Sequence, residues 1–506
     1  MSRLHKAART TVVAQAFNWA SLLLSLATVP LYLKWLGEER YGVMLTGLAF
    51  AGYLMFSDAG LSWASMLLIS QAHGRDDRAG IASIVRNSFS LAGCSAALVA
   101  VVIAGLLWGL AHVQHLTWLP QHPESGGILL AVGSSVVCSL GLSPFYNLLI
   151  GIQEAHLAAF YQGIGRLLGT LGAVGAAAGG SHLGWVVGAN AAGALLAGAL
   201  AVRACWQRFP WAFQSGAWWQ PAQIRQQLRT GGKSFAMQIG NVLFGTAPVL
   251  AISSGAGPQF VPYFSIPMTL LNAPLSVLTS FNASLQPGYG EAIGRNEKAW
   301  VAETVRRILR QVLVMLGLLG CGFLLLAAPF ARLWTGGRIE LPPPMLASVL
   351  GIAALGTLLG VFRYAITGIN RHRLAAVSDL ACGIFAMALA AAAVRQSGYA
   401  SVGLGIGIAA GLTSAWILPR ELKRALDGKT LWPAFGFWLR WMGLVATSFG
   451  AGWLALRGFG PAPGWLGVLA TGCAIGGVFL PLAWGLLPAE TVHLRALGAR
   501  FVPALR

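Results

Sequence analysis

Charged residues are scarce in this sequence. They make up only 10% of the 506 residues, whereas 56% are hydrophobic, and a soluble globular domain has roughly 25% charged residues. A soluble chain of this length would form several domains with charged surfaces, so the composition excludes that class. Apolar runs of about 20 residues, long enough to cross a bilayer core of about 30 Å, occupy nearly the whole chain. The sequence therefore predicts an all-α, polytopic membrane protein, because lipid offers no partner for unpaired backbone N–H and C=O groups.

Acidic residues are the scarcest charged type. Fifteen Asp and Glu stand against 34 Lys and Arg, which gives a formal net charge of +19. Such an excess is also found in nucleic-acid-binding proteins, but here the basic residues lie in short loops between apolar runs. That pattern is typical of the cytoplasmic loops of membrane proteins. We therefore expect no nucleic-acid partner.

Cysteine motifs are absent as well. The six cysteines all lie in apolar runs and form no C-x-x-C pattern. We therefore interpret them as small core hydrophobes rather than as disulfide or metal sites. His112, His115 and His122 share one predicted external loop, where solvated histidines are more common than a zinc site. We expect no metal and no cofactor.

Fourteen apolar segments, about 14 transmembrane helices, can be placed along the chain. They are residues 11–33, 41–70, 81–110, 127–151, 156–178, 183–203, 232–254, 261–286, 303–328, 344–367, 374–394, 400–418, 433–455 and 465–487. The even number puts both termini on one side. If the termini are cytoplasmic, most of the basic residues are cytoplasmic too, as in other membrane proteins. On the other side lie only Lys34, Arg40, Arg332, Arg338, Arg395 and Arg457.

The chain repeats itself after about 220 residues. The stretch from Phe145 to Ala159 has an echo from Phe362 to Ala376, at an offset of 217 residues. Two further echoes occur in the same order. Gln15-x-x-Asn18 recurs as Gln238-x-x-Asn241, and Gly74-Arg75-Asp76-Asp77 recurs as Gly294-Arg295-Asn296-Glu297. Three echoes at similar offsets indicate a duplicated unit.

The duplication predicts the domain organisation. Spans 1–6 match spans 7–12 in the same orientation, and such parallel repeats form two pseudo-symmetric six-helix bundles. We place the N-terminal bundle at 1–205 and the C-terminal bundle at 232–424. Residues 206–231 contain four tryptophans and predict an amphipathic cytoplasmic linker. Residues 425–506 hold two additional helices and a cytoplasmic tail.

Charges inside the apolar runs are candidate functional groups. An Arg or Asp at a helix centre costs at least about 2.5–3.5 kcal/mol, so it usually faces a wet cavity or a partner. Arg166 lies in the fifth span, and Asp379 lies in the eleventh. The repeat makes Asp379 the equivalent of Gln162, which shares a helix face with Arg166. These groups either line a central cavity or form a structural ion pair within the bundle.

Two other charges lie in apolar runs. Asp58, in the second span, is either a protonatable coupling group or a cap where the helix breaks before Gly60. Asp58 and Asp379 are therefore our candidates for ion coupling. Arg363, near the cytoplasmic end of the tenth span, either contacts an anionic headgroup or extends to the membrane interface.

Amide side chains recur on the first helix of each half. Gln15 and Asn18 in the first half match Gln238 and Asn241 in the second. They could bind sugar hydroxyls, and the alternative is hydrogen bonding between neighbouring helices. Together with Gln162, Arg166 and Arg363, they form our set of candidate substrate-binding residues.

The sequence resembles the Wzx-type oligosaccharide flippases of the multidrug/oligosaccharidyl-lipid/polysaccharide exporter superfamily. The resemblance is diffuse and extends over the six-plus-six repeat with two extra helices. It carries no catalytic signature. It rests on Asn18, Pro30, the Leu36-Gly37 and Tyr41-Gly42 turn, Asp58-Ala59-Gly60-Leu61, and the duplicated Gly151 and Gly368 loops.

The resemblance implies a transporter in the bacterial cytoplasmic (inner) membrane. It would move a polyprenyl-pyrophosphate-linked oligosaccharide from the cytoplasmic to the outer leaflet, for surface polysaccharide export. Coupling of the movement to protons, sodium or the membrane potential is left open by the sequence. The expected partners are the lipid-linked oligosaccharide, membrane lipids and other polysaccharide-assembly membrane proteins, and the expected oligomeric state is a monomer.

Three alternatives remain open. A drug/cation antiporter belongs to the same superfamily, although that branch usually has twelve helices. Lipid II flippases typically carry Arg in the first helix, and residues 11–33 contain no charge. A membrane glycosyltransferase or polymerase is a remote alternative, because Glu38 and Glu39 lie in an external loop but no large external domain and no D-x-D pair exist.

Overall fold

A computed structural model of the chain describes residues 3–73, 75–112, 123–214, 218–294, 296–369, 372–460 and 464–486. Regular structure in these ranges is helical, as the apolar runs require. The α-helices are α1 (Arg3–Leu54), α2 (Leu61–His73), α3 (Arg78–His112), α4 (Ser125–Gly151), α5 (Ala155–Ala178), α6 (Leu183–Arg208), α7 (Trp211–Gln214), α8 (Pro221–Gly255), α9 (Val261–Gly294), α10 (Lys298–Trp334), α11 (Pro343–Gly368), α12 (His372–Ser397), α13 (Val402–Leu412), α14 (Ser414–Ala425), α15 (Phe435–Gly458) and α16 (Trp465–Leu486).

Each predicted span coincides with a helix or with consecutive helical segments. Helix α1 contains the first span and the start of the second, with a break at Gly37, where φ is 76°. Glycine adopts this left-handed φ without the steric cost that other residues incur. In the described part of the chain, nine helical segments are long and apolar enough to cross a membrane. The prediction of an all-α, polytopic membrane protein is confirmed.

The second span is interrupted between α1 and α2. A 3₁₀ turn at 55–58 is followed by Ala59 and Gly60, which have φ values of 47° and 73°. Non-helical backbone at membrane depth must find partners inside the protein. Ser95 of α3 supplies one, because its hydroxyl donates to the Ser57 carbonyl at 2.7 Å. The break is thus a fixed feature of the packing.

The chain consists of two compact units, Met1–Pro262 and Tyr263–Arg506. Helix α8 packs against α1 and α2 and lies in the first of these units. The physical reason is close approach: a Cβ on Gly231 of α8 would lie 2.8 Å from the Gly60 carbonyl oxygen. The division into two six-helix bundles joined by a linker at 206–231 stays a prediction.

In the first unit, α5 and α6 pack through small residues. Gly165, Gly169 and Gly193 lie at their interface, where a Cβ on Gly193 would be only 2.3 Å from the Gly169 nitrogen. Small residues allow membrane helices to approach closely enough for backbone contact. This buries one face of α5 and fixes which face remains accessible.

The predicted linker, residues 206–231, forms side-chain hydrogen bonds with α3. Asn87 is fully buried and accepts a hydrogen bond from the Gln220 backbone N–H at 2.8 Å. Gln227, also fully buried, donates to Ser88 Oγ and to the Ile84 carbonyl, both at 3.2 Å. Buried hydrogen-bond networks of this kind specify a unique packing.

In the second unit, the two additional helices pack against α10. Leu313, Phe437, Leu444, Phe479 and Ala483 form a shared core. The indole N–H of Trp441 in α15 donates to the Leu313 carbonyl of α10 at 2.7 Å. Helices α15 and α16 are therefore an integral part of this unit.

Candidate functional site

Arg363 and Asp379 form a two-pronged ion pair between α11 and α12. Arg363 Nε lies 2.7 Å from Asp379 Oδ2, and Nη2 lies 2.9 Å from Oδ1. The Ser414 hydroxyl is 3.3 Å from Oδ1. The Asp379 side chain is 1% exposed and the Arg363 side chain is 22% exposed. This fork geometry is the strong form of a charge-assisted hydrogen bond.

The ion pair orients the exposed part of Arg363. Nε and Nη2 donate to Asp379, while Nη1 makes no hydrogen bond to the described residues. A guanidinium has five N–H donors, so an oxyanion could bind to the donors that remain. Asp379 then acts as a positioning group for a cation that is already fixed in space.

The sequence did not identify this pairing. It offered Arg166 as the structural partner of Asp379, whereas the partner in the structure is Arg363. The signal was present in the sequence, since Arg363 lies five positions before the end of α11 at Gly368 and Asp379 lies seven positions after the start of α12 at His372. Antiparallel helices joined by a short loop bring such positions to the same depth.

Gln162 and Arg166 lie one turn apart on α5, beside the buried glycines Gly165 and Gly169 that contact α6. Both are exposed, and Arg166 has no carboxylate within 4 Å in the described part of the chain. The neighbouring residue Gly163 contacts the Phe17 ring of α1. Asn18 is exposed beside that contact. The structure therefore places Asn18, Gln162 and Arg166 at similar depth on two touching helices.

The amides of α8 lie near a different contact. Thr246 donates to the Tyr53 hydroxyl at 2.6 Å, which joins α8 to α1. One turn earlier Asn241 is exposed, and Gln238 is half-buried. The side chain of Gln15 lies outside the part of the chain that the structure describes. These positions are therefore not gathered with Arg166 into a single cluster by any contact in the described residues.

Asp58 has the geometry of a helix cap. Its carboxylate accepts hydrogen bonds from the Ser62 backbone N–H at 3.2 and 3.3 Å and from the Ser62 hydroxyl at 2.8 Å. This satisfies an unpaired donor in the first turn of α2. Asp58 is 7% exposed, and both of its donors belong to a neutral residue. Of the two readings of Asp58, the geometry supports the cap, and ion coupling remains a prediction.

A second ion pair, which the sequence did not reveal, joins α1 to the start of α4 and to the α5–α6 connection. Arg40 Nε lies 2.9 Å from Glu124 Oε1, and its Nη2 donates to the Ser181 carbonyl at 3.1 Å. Glu124 also accepts from the Leu183 backbone N–H at the start of α6. Burial alone would raise the pKa of Glu124, but the hydrogen bonds from Arg40 and Leu183 outweigh burial, so the pKa lies below its usual value. The predicted topology places all three of these positions on the external side of the membrane.

Metal ligands are not clustered in the described residues: no three His, Cys, Asp or Glu side chains lie close enough to hold an ion. His115 and His122 lie outside the described residues, as does the side chain of His112.

Solved structures with a similar fold are membrane transporters. A lipid II flippase, MurJ, in an inward closed conformation matches with a TM-score of 0.70 and 13% identity, and covers 96% of this chain and 99% of that one. An inward-facing multidrug resistance MATE transporter of the MOP superfamily matches with a TM-score of 0.60 and 16% identity, over 83% and 99%. A mutant of the Vibrio cholerae MATE transporter VcmN gives 0.58 and 16%, over 84% and 99%.

These likenesses establish the fold. A search of the curated proteins found no match. The family model described as polysaccharide biosynthesis protein matches residues 8–292, more than half of the chain. The predicted resemblance is therefore confirmed, and the chain belongs to the polysaccharide biosynthesis protein family.

Proposed function

We propose that this protein is a flippase for a polyprenyl-pyrophosphate-linked oligosaccharide. It moves this lipid from the cytoplasmic to the outer leaflet of the bacterial inner membrane during surface polysaccharide export. The observation that carries the proposal is the family match over residues 8–292. The transporter fold, matched over nearly the whole chain, supports it.

The substrate has two chemically distinct parts that must cross the membrane. The pyrophosphate is anionic, and Arg166 and Arg363 are the proposed contacts because each presents a guanidinium on a helix within an apolar run. Arg suits this task through its planar fork of donors. The sugar hydroxyls would be bound by Asn18, Gln162, Gln238, Asn241 and Gln15. The polyprenyl tail stays in the lipid.

Movement would follow an alternating-access cycle of the two repeats, without a cofactor. Asp58 is the better candidate for ion coupling, because its hydrogen-bond donors are neutral, whereas the charge of Asp379 is compensated by Arg363.

Asn can replace Asp58 as a helix cap, but its amide cannot take up and release a proton as a carboxylate does. Asp58→Asn should therefore keep the protein folded while slowing transport. If Asp58→Asn transports normally, Asp58 is a cap alone.

The proposed function can be tested in a strain that lacks the gene. We expect the strain to lose the cognate surface polysaccharide and to accumulate its lipid-linked precursor, and the gene on a plasmid should restore both. Membrane protein level serves as the control. Intact polysaccharide together with altered drug sensitivity would instead indicate a drug/cation antiporter. Rescue of a strain depleted of its lipid II flippase would indicate that substrate.

The proposed orientation, with both termini cytoplasmic, has a separate test. In a cysteine-free background, Ser181→Cys lies beside the Arg40–Glu124 ion pair and Lys429→Cys lies beside the Lys298–Asp427 ion pair. A membrane-impermeant thiol reagent should label position 181 in intact spheroplasts and position 429 only after permeabilisation. The opposite pattern would invert the topology.

A further inference from the structure

A cavity in the second unit is lined by basic and aromatic side chains. It has a volume of about 500 Å³ and lies between the α13–α14 junction and residues 430–432. Trp416, Arg420 and Lys423 line it on one side, and Thr430 and Trp432 line it on the other. The proposed transport mechanism uses none of these residues.

The cavity arises from a break in the twelfth predicted span. Helix α13 ends at Leu412, and Thr413 has φ −125° and ψ −100° before α14 begins at Ser414. Leu418 and Leu422 of α14 are fully buried, whereas Arg420 and Lys423 are exposed. Helix α14 is thus amphipathic, with a basic outer face, as in helices that lie at membrane interfaces.

The opposite wall is held in place by its own contacts. Arg306 of α10 donates to the Thr430 carbonyl at 2.5 Å. The Trp432 ring packs against the Phe362 ring with a centroid distance of 5.5 Å. Leu431, the residue between Thr430 and Trp432, is buried. The cavity is therefore bounded by ordered elements on both sides.

An apolar stripe leads along the helices to this cavity. Leu404, Ile408, Leu412 and Trp416 recur every four residues and are 66%, 53%, 67% and 62% exposed. In a membrane protein such a stripe faces lipid. It ends one further step along at Arg420, whose guanidinium carbon lies 5.7 Å from the Trp416 ring centroid.

The charge of the cavity has one sign. Its lining contains Arg420 and Lys423 and no acidic residue. The acidic residues near this end of the unit are engaged elsewhere: Asp427 with Lys298 at 2.9 Å, and Glu303 with Arg306 at 2.8 Å. Glu421 lies on α14 but does not line the cavity. The complementary ligand is an anion attached to a long apolar group.

We propose that this cavity binds one anionic diacyl phospholipid, with its phosphate at Arg420 and Lys423 and one acyl chain along the Leu404–Ile408–Leu412 stripe. Tryptophans at the level of lipid headgroups are a common feature of membrane proteins. Basic pockets between transmembrane helices bind anionic headgroups. The proposal is independent of the transported substrate.

The test compares two double variants that lose the same charge. Arg420→Gln/Lys423→Gln removes the cations of the cavity, and Arg424→Gln/Lys429→Gln removes exposed neighbours that do not line it. Phosphatidylglycerol and phosphatidylcholine are titrated into each detergent-solubilised protein, and native mass spectrometry gives the apparent Kd of the first bound lipid. Melting temperatures without added lipid show that both variants are folded.

We expect wild type and the control variant to bind phosphatidylglycerol more tightly than phosphatidylcholine. The cavity variant should bind phosphatidylglycerol about 30-fold more weakly, the equivalent of about 2 kcal/mol for two cations near an anionic lipid. Equal affinity for the two lipids, or equal losses of affinity in the two variants, would overturn the proposal.

A competition experiment identifies other ligands. Displacement of phosphatidylglycerol by glycerol 3-phosphate would indicate a site for a soluble phosphate. Displacement by a polyprenyl diphosphate at lower concentration than phosphatidylglycerol would assign the cavity to the substrate, and either result contradicts a phospholipid site.

Discussion

Two arginines within apolar helices, Arg166 in α5 and Arg363 in α11, accommodate their charge in different ways. Arg363 is held by a buried carboxylate through two hydrogen bonds. Arg166 is exposed and has no acidic partner in the described residues. Both positions carry the cost of a charge within an apolar span. We therefore expect different consequences of substitution. Changes at Arg166 should impair transport, whereas changes at Asp379 should first impair stability.

The largest expected effect is on transport, through Arg166. Arg166→Lys should retain partial flipping, Arg166→Ala should retain little, and Arg166→Glu none. A lost charge-assisted hydrogen bond of roughly 1.5–3 kcal/mol corresponds to a loss of about 10- to 100-fold. The measurement is surface polysaccharide in the deletion strain, normalised to membrane protein level. Arg203→Glu, an exposed arginine of α6, is the control and should support normal polymer. Normal polymer from well-expressed Arg166→Glu would remove the anion-binding role.

The next effect is on stability, through Asp379. Asp379→Asn leaves Arg363 without its carboxylate, and breaking a buried ion pair costs about 3–5 kcal/mol. The double variant Arg363→Gln/Asp379→Asn should recover most of that loss, because no unpaired charge remains. Thermal unfolding in detergent measures both. Asp427→Asn, which breaks the exposed pair with Lys298, should cost at most about 1 kcal/mol. A double variant as unstable as the single one would show that the two charges are not coupled.

How far the sequence could lead differs between the fold and the site. Apolar length alone placed all 14 spans, and Gly37 marked the first turn, because both depend on local chemistry. The Arg363–Asp379 pair depends on which helices touch and at what depth. The hydrogen bonds of buried Asn87 and Gln227 could not be predicted for the same reason, since a single polar residue in the sequence does not show which residue it will contact. The assignment of α8 to the first unit also rests on a contact, between Gly60 and Gly231, that no local pattern encodes.

A smaller effect is expected at the contact between α5 and α6. Gly193→Ala should destabilise the protein by about 1–3 kcal/mol, because the added methyl group would lie 2.3 Å from the Gly169 nitrogen and force α5 away from α6. Gly175→Ala in α5 is the matched control, since its Cβ would meet nothing within 4 Å. Replacing a helical Gly by Ala at an open site should stabilise by roughly 0.5–1 kcal/mol. Equal melting temperatures for the two variants would contradict the close α5–α6 packing.

The smallest expected effect is the pH dependence of the Arg40–Glu124 pair. The pKa of Glu124 is lowered from a usual value of 4.5, so its contribution is present above that pH and is lost as the pH falls further and the carboxylate is protonated. The contribution is at most about 1 kcal/mol, because the pair is partly exposed. Melting temperatures measured from pH 6 down to about pH 3 should therefore fall less for Glu124→Gln than for wild type, with the difference appearing below pH 4.5. A parallel decline in both proteins would show that other groups cause the acid sensitivity.

The central claim, that this protein moves a lipid-linked sugar between leaflets, is tested most directly in proteoliposomes. A fluorescent polyprenyl-diphosphate-linked sugar is placed in both leaflets, and an impermeant quencher is added outside. With wild-type protein, the signal should fall beyond the outer-leaflet fraction, because inner-leaflet lipid is delivered to the quencher. With Arg166→Glu, only the outer-leaflet fraction should be quenched, as in protein-free vesicles. Identical quenching with wild type and with empty vesicles, across proton, sodium and potential gradients, would contradict the flippase assignment.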